Sequence, residues 1–167
     1  GLGDVYKRQG PTGALPAGED AFTRIFLPLG YRMAALYPLD RLRMTGRAYA
    51  HVDSPEAIPQ FFLSELHVDR FDPEFGEAAT RIFGTSRDPL DAPTIALLDR
   101  YAAGEPVSFD DAAAALPVIV SAFDRQHEPP AFADYELLLS RSNEAAWIAT
   151  EGNAFNHATT RTANVVA

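Results

Sequence analysis

Apolar positions in the first third of the chain recur at two periods, and the change of period predicts the elements. Between Gly18 and Leu29, the residues Phe22, Ile25, Phe26 and Leu29 fall three or four apart, the spacing of one helix face. Asp20 stands where a cap is needed, and Pro28 and Gly30 end the segment. From Tyr31 onward the period drops to two. Three strands are predicted: Tyr31 to Tyr37, Leu42 to Val52 and Gln60 to Val68. Pro38-Leu39-Asp40 and Asp53-Ser54-Pro55 supply the turns. Alternation puts Arg43, Thr45, Arg47, Tyr49 and His51 on one face of the second strand, and Phe61, Leu63, Glu65 and His67 on one face of the third.

Beyond Asp72 the pattern becomes helical and Ala-rich, broken by Pro, Gly and Asp. Four helices are expected: Pro73 to Phe83, Ala92 to Ala103, Phe109 to Phe123 and Phe132 to Thr150. Pro117 should kink or divide the third, because it lacks an N–H and crowds the preceding turn. Asp110 and Asp111 favour the positive end of that helix. The last helix should stop at Gly152, with a short strand after it. That strand carries Phe155, His157, Thr159 and Arg161 on one face.

Composition narrows the functional classes. The chain has 167 residues, 47% of them apolar, enough for a real core and too many for a disordered segment. A net charge of −9, with no run of Lys or Arg, argues against a nucleic-acid partner. The longest largely apolar run, Ala112 to Phe123, holds a proline and a serine and is too short to span a bilayer, so no membrane association is expected. No secretory signal is visible. With no cysteine there are neither disulfides nor thiolate metal sites, which is compatible with a cytoplasmic home. The chain does not begin with Met, and Gly1 to Gln9 (GLGDVYKRQ) is similar to translated sequencing-adaptor read-through. It ends at Val165-Val166-Ala167 without a cap. A fragment truncated on both sides is expected.

The residues that can carry chemistry are few, and each has an ordinary reading beside its functional one. His157, between an aromatic ring and a guanidinium, suits a metal that meets an anionic substrate; a core or surface histidine is the alternative. Arg161 can pair with a substrate carboxylate, or simply lie solvated at a strand end. Glu65 and His67 suggest a polar pocket lining or a structural hydrogen-bonded pair, since buried ionisable groups need partners. Arg47 and His51 can extend that lining, though any strand with one wet face looks the same. His127 lies in a loop and is given no role; Trp147 reads as a core anchor. Dinucleotide, P-loop, zincin and nucleophile-elbow motifs are absent from the sequence.

Three blocks carry a family resemblance: Phe62-Leu63-Ser64-Glu65-Leu66, Glu144-Ala145-Ala146-Trp147, and Asn156-His157 with its flanks. From about Leu15 to its last residue the chain resembles the 2-oxoadipate dioxygenase/decarboxylase family, which is similar to the vicinal oxygen chelate superfamily. The resemblance implies an α+β fold, an incomplete βαβββ half-barrel with a helical insert. On that reading residues 1–9 are foreign, 10–72 form a partial first module, 73–152 the insert, and 153–167 the first strand of a truncated second module. It also implies an Fe(II) enzyme with two histidines and one glutamate as ligands, acting on a 2-oxo acid and O2. The family's reaction converts 2-oxoadipate to 2-hydroxyglutarate in lysine breakdown. His157 falls on the second histidine ligand. The first histidine would precede residue 10 and the glutamate would follow Ala167, so this chain alone is expected to be inactive. Glu65 would sit near the pseudo-symmetric counterpart of the glutamate. The family's substrate-binding arginine follows its first histidine, so the resemblance does not assign that role to Arg161. Two alternatives stay open: a related metalloenzyme for another 2-oxo acid, and a metal-free binding protein on the same fold. Iron and manganese are not separable from these ligand types.

Overall fold

The structure is a computed structural model that describes residues 2–4 and 13–158. Its first part is a βαβββ unit: β1 (Leu2–Asp4), α1 (Asp20–Phe26), β2 (Tyr31–Leu39), β3 (Met44–His51) and β4 (Phe61–Leu66). The strands lie in the order β1-β4-β3-β2, with β1 parallel to β4 and the other pairs antiparallel. Five helices follow: α2 (Pro73–Phe83), α3 (Ala92–Ala102), α4 (Phe109–Ser121), α5 (Phe132–Leu139) and α6 (Asn143–Glu151). The expected α+β architecture with a helical stretch after the third long strand is therefore present.

Most helix starts are written locally. Asp72, Asp91, Ser108 and Ser142 each accept a hydrogen bond from the backbone N–H three residues on, at 2.9–3.1 Å. These side chains satisfy donors that a helix leaves open at its first turn. Proline in the first turn of α2 and α3 costs nothing there, because its missing N–H would have no helical partner.

Four expectations are corrected. Asp20 is the first residue of α1 rather than its cap; Glu19 takes that position, without a side-chain capping bond. The segment Phe132 to Thr150 is two helices, because Ser142 caps a fresh start at Asn143. Pro117 does not divide α4. Pro117 and Ala113, whose carbonyl loses its partner, both face solvent, so water can serve the freed oxygen. Finally, the first strand of the unit is not missing: Leu2–Asp4 pairs with Phe62, Leu63 and Ser64 of β4, in the segment set aside as foreign. Pairing along a strand edge uses backbone groups, so it accepts an extended segment of almost any sequence.

Two apolar clusters fill the interior. One packs α1 and the α3 and α4 region onto Tyr49 and Leu63, through Phe22, Ile25, Phe26, Leu98 and Ala122. Phe26 stacks on Phe61 at 4.6 Å between ring centroids. The other joins Met44, Leu66 and Val68 to α2, α5 and α6, with Phe75, Ile82, Phe83, Leu138 and Ile148 at its centre. Trp147 packs against its edge, as an anchor.

The sheet thus has one face covered by α1 and one that α1 does not cover. On the second face, register brings Ala35, Ala48 and Phe62 into one row and Tyr37, Gly46 and Ser64 into the next. Small side chains floor this surface. Gly46 is required there, since an added Cβ would stand 2.3 Å from the Phe62 ring.

Candidate functional site

The densest cluster of ionisable groups lies under the N-terminal end of α1. Register places Thr45 opposite Glu65 and Arg47 opposite Leu63, so Arg47 and Glu65 are diagonal neighbours on the α1 side of the sheet. Glu65 is fully buried. Its Oε2 accepts from the Glu19 backbone N–H at 3.0 Å. Arg47 Nε meets Glu19 Oε2 at 2.8 Å, and Arg47 Nη2 lies 3.9 Å from Glu65 Oε1. Tyr49 donates its hydroxyl to Glu19 at 3.4 Å. His67 completes the group, with Nδ1 3.7 Å from Glu65 Oε1 and Nε2 2.7 Å from Thr45 Oγ1.

Electrostatics follow from this crowding. Burial, then the adjacent Glu19 charge, pushes the Tyr49 phenol up to about 12. Burial, with help from Arg70, holds His67 below its ordinary value despite the opposing pull of Glu65. Burial thus favours the uncharged form of the ring. One guanidinium serves two carboxylates, and the match is incomplete: Arg47 Nη1 and Glu65 Oε1 have no hydrogen-bond partner. The donor chemistry does not fit a metal ion. Arg47 already occupies the position a cation would take, and among the described residues no group of three His, Cys, Asp or Glu side chains could hold one. The network joins α1 to β3 and β4. Glu65 and His67 are brought together as their spacing suggested, on the helix-covered side.

The other candidates are dispersed. His157 is exposed and lies outside regular structure, two residues after Phe155, the last residue in a β-bridge. Phe155 stacks on Phe123 at 4.7 Å, which ties this end of the chain to the cluster under α1. Arg161 lies outside the described residues. His51 packs edge-on against Tyr31 at 5.3 Å and accepts from the Asp53 N–H at 3.2 Å. Gly30, at φ 89°, leaves room for its ring, since a Cβ would come 2.6 Å from His51 Nε2. His51 is thus a hairpin packing residue, not a continuation of the Arg47 cluster. His127 is buried; its Nε2 donates to the Ala149 carbonyl at 2.8 Å, and its ring stands edge-on to Phe83.

Sequence reasoning missed Glu19 and the pair Arg24–Asp88. Arg24 bonds both oxygens of Asp88 at 2.7 Å, clamping α1 to the segment before α3. Burial alone would raise Asp88, but the bonds from Arg24 and the Leu90 N–H outweigh it and its carboxyl is lowered. An acidic residue before a helix is too common to mark Glu19. Only the meeting of α1 with β3 distinguishes it.

The βαβββ sheet with one face left open by its helix defines a vicinal-oxygen-chelate-type fold. A model of the 2-oxoadipate dioxygenase/decarboxylase family matches residues 12–167, and the chain belongs to that family. A Ralstonia eutropha JMP134 protein described as belonging to the glyoxalase superfamily is 52% identical, with a TM-score of 0.90; the match covers 94% of this chain and 49% of that one. The hydroxyglutarate synthase of Pseudomonas putida is 18% identical, with a TM-score of 0.71 over 93% of this chain and 36% of its own. The Oryza sativa hydroxyglutarate synthase in complex with 2-oxoadipate is 19% identical, with a TM-score of 0.63 over 93% of this chain and 43% of its own. The chain therefore spans half or less of the length of these proteins. No curated protein matches it. No helix among the described residues is long and apolar enough to cross a membrane.

Proposed function

We propose that this chain is part of an Fe(II)-dependent, cytoplasmic dioxygenase/decarboxylase that converts 2-oxoadipate and O2 to 2-hydroxyglutarate and CO2, a step of lysine breakdown. The family match across residues 12–167 carries this reading, and the likeness to a synthase holding 2-oxoadipate supports a 2-oxo acid as substrate. In the whole protein His157 contributes one metal ligand. Its exposure in this chain leaves the imidazole available to a site completed by other residues. A single imidazole does not make an iron site by itself. Bound iron would supply oxygen activation and a chelating point for the carboxylate and keto oxygens. Arg161, four residues on, is the candidate partner for a substrate carboxylate.

What this chain's own residues do is clearer. They build a sheet whose second face carries Gly46, Ala48 and Ser64, with the Phe62 ring lying over Gly46. The Glu19–Arg47–Glu65 network and the Arg24–Asp88 clamp hold α1 against the back of that sheet. Rigid backing is what a site needs if reacting groups are to stay in register.

The test is oxygen-dependent CO2 release from 2-oxoadipate by the full-length protein. No turnover with iron and oxygen present rejects the assignment. His157→Ala should abolish stoichiometric iron binding, read by metal analysis; retained iron removes His157 from the ligand set. A second reading keeps the chemistry and changes the substrate, because identity to the two synthases described above is only 18–19%. A panel of 2-oxo acids differing in chain length separates the two.

A further inference from the structure

At the end of the sheet away from β4's first residues, the turn Asp40–Leu42 between β2 and β3 approaches the α5–α6 junction. Together they enclose a small, open concavity of about 270 Å³. Arg41, Arg43 and Arg141 all line it, with Phe71, Ser142 and Asn143. Glu144 is the one carboxylate among the lining residues, and it already accepts from Ser142 Oγ at 3.2 Å.

The three guanidinia are not equivalent. Arg141 is engaged by Asp72 at 3.1 Å and Glu74 at 3.5 Å. Among the described residues, Arg41 and Arg43 form no ion pair at all. What sets this pair apart is its place: both line one concavity beside a third arginine, in a chain with 23 acidic and 14 basic residues. Arg43 is also held in place. Its guanidinium lies over the Phe71 ring at 4.4 Å, and Phe71 stacks on Phe75 at 3.9 Å. Its backbone is fixed at both ends, the N–H donating to Asp40 and the carbonyl accepting from His67.

Arg43 is, moreover, the one non-glycine residue with positive φ among the described residues, at 55°. Glycine or asparagine suits that left-handed position better. Keeping an arginine there makes sense if the side chain has a task the backbone conformation does not supply.

We propose that this concavity binds a small dianion, with Arg41 and Arg43 as its primary contacts and Arg141 and Asn143 completing the rim. Guanidinium forks pair bidentately with carboxylate and phosphate oxygens alike. The volume admits an inorganic phosphate or a short dicarboxylate. The cationic groups are already gathered at one concavity, so an incoming dianion offsets like charges brought there by the fold. The site is independent of the activity proposed above.

Isothermal titration of the chain with sodium phosphate and with glutarate, against sodium chloride at matched ionic strength, tests this. Saturable binding of at least one dianion, absent with chloride, is expected. Which one binds separates a phosphate site from a dicarboxylate site. Arg43→Gly removes the guanidinium while giving the left-handed position a residue that adopts it freely, so the fold should hold its melting temperature. Binding should weaken at least tenfold. Arg41→Gln, on the exposed turn, should weaken it similarly. If neither dianion binds beyond the chloride control, or if both variants bind within twofold of the parent, the proposal is overturned.

Discussion

Removing the guanidinium from beneath α1 offers the sharpest check on the physical account. In Arg47→Met the alkyl stem is retained and the charge is lost. Among the described residues, Glu65, fully buried, then keeps a single hydrogen bond, from the Glu19 N–H, and no cation. Glu19 loses its 2.8 Å ion pair. Taking one partner from a buried pair typically costs 3–5 kcal/mol, because the remaining charge stays out of water. The contact with Glu65 is long, at 3.9 Å, and the Glu19 side chain is 21% exposed. A loss of about 2–4 kcal/mol is the better expectation. For a chain of this size that lowers Tm by roughly 5–15 °C. Urea unfolding of the parent and variant should show a lower midpoint at unchanged slope. The double variant Arg47→Met/Glu65→Gln removes the buried charge at position 65, and its amide oxygen still accepts from the Glu19 N–H. It should recover a measurable part of the loss. If Arg47→Met costs under about 0.5 kcal/mol, or if the double variant is worse than the single one, the guanidinium is not what compensates Glu65.

Three further expectations follow from the same geometry. Burial lowers His127 from its ordinary 6.5, so the folded state binds its proton less readily than the unfolded chain; stability should be whole above about pH 6.5 and fall as pH drops toward the lower folded value, and His127→Gln should flatten that slope in urea midpoints measured from pH 8 to 5. Pro117→Ala should raise stability by about 1–2 kcal/mol, since the regained helical N–H outweighs the lost stiffness of the unfolded chain; a lower Tm would show that the proline is needed where it stands. Gly46→Val should displace the Phe62 ring and cost about 1–3 kcal/mol by urea unfolding, and a neutral result would mean that Phe62 is not held over the sheet floor.

Local chemistry made much of the fold legible. The alternation from Tyr31 and the 3–4 spacing of Phe22, Ile25, Phe26 and Leu29 fix element types, because each period matches one backbone geometry. Asp72, Asp91 and Ser108 before helical runs mark three helix starts, because the capping bond spans only three residues. Where local signals competed, reading failed. Ser142 reads as one more polar residue in a continuous helix until its side chain is seen capping Ala145. Pro117 reads as a kink or a division, and the helix runs through it undivided in wet surroundings.

The candidate sites divide in the same way. His157 stands out by its neighbours in sequence, whereas the partners that decide its role are not neighbours of any kind along the chain. Spacing alone put Glu65 and His67 on one strand face; only the docking of α1 decided that the face is buried and that Glu19 and Arg47 close over it. Arg41 and Arg43 meet Arg141 through the packing of a hairpin turn against a helix junction. Periodicity and caps act over one or two turns, and sequence carries them directly. Charge pairing and cavities depend on distances across elements, which exist only once the chain has packed.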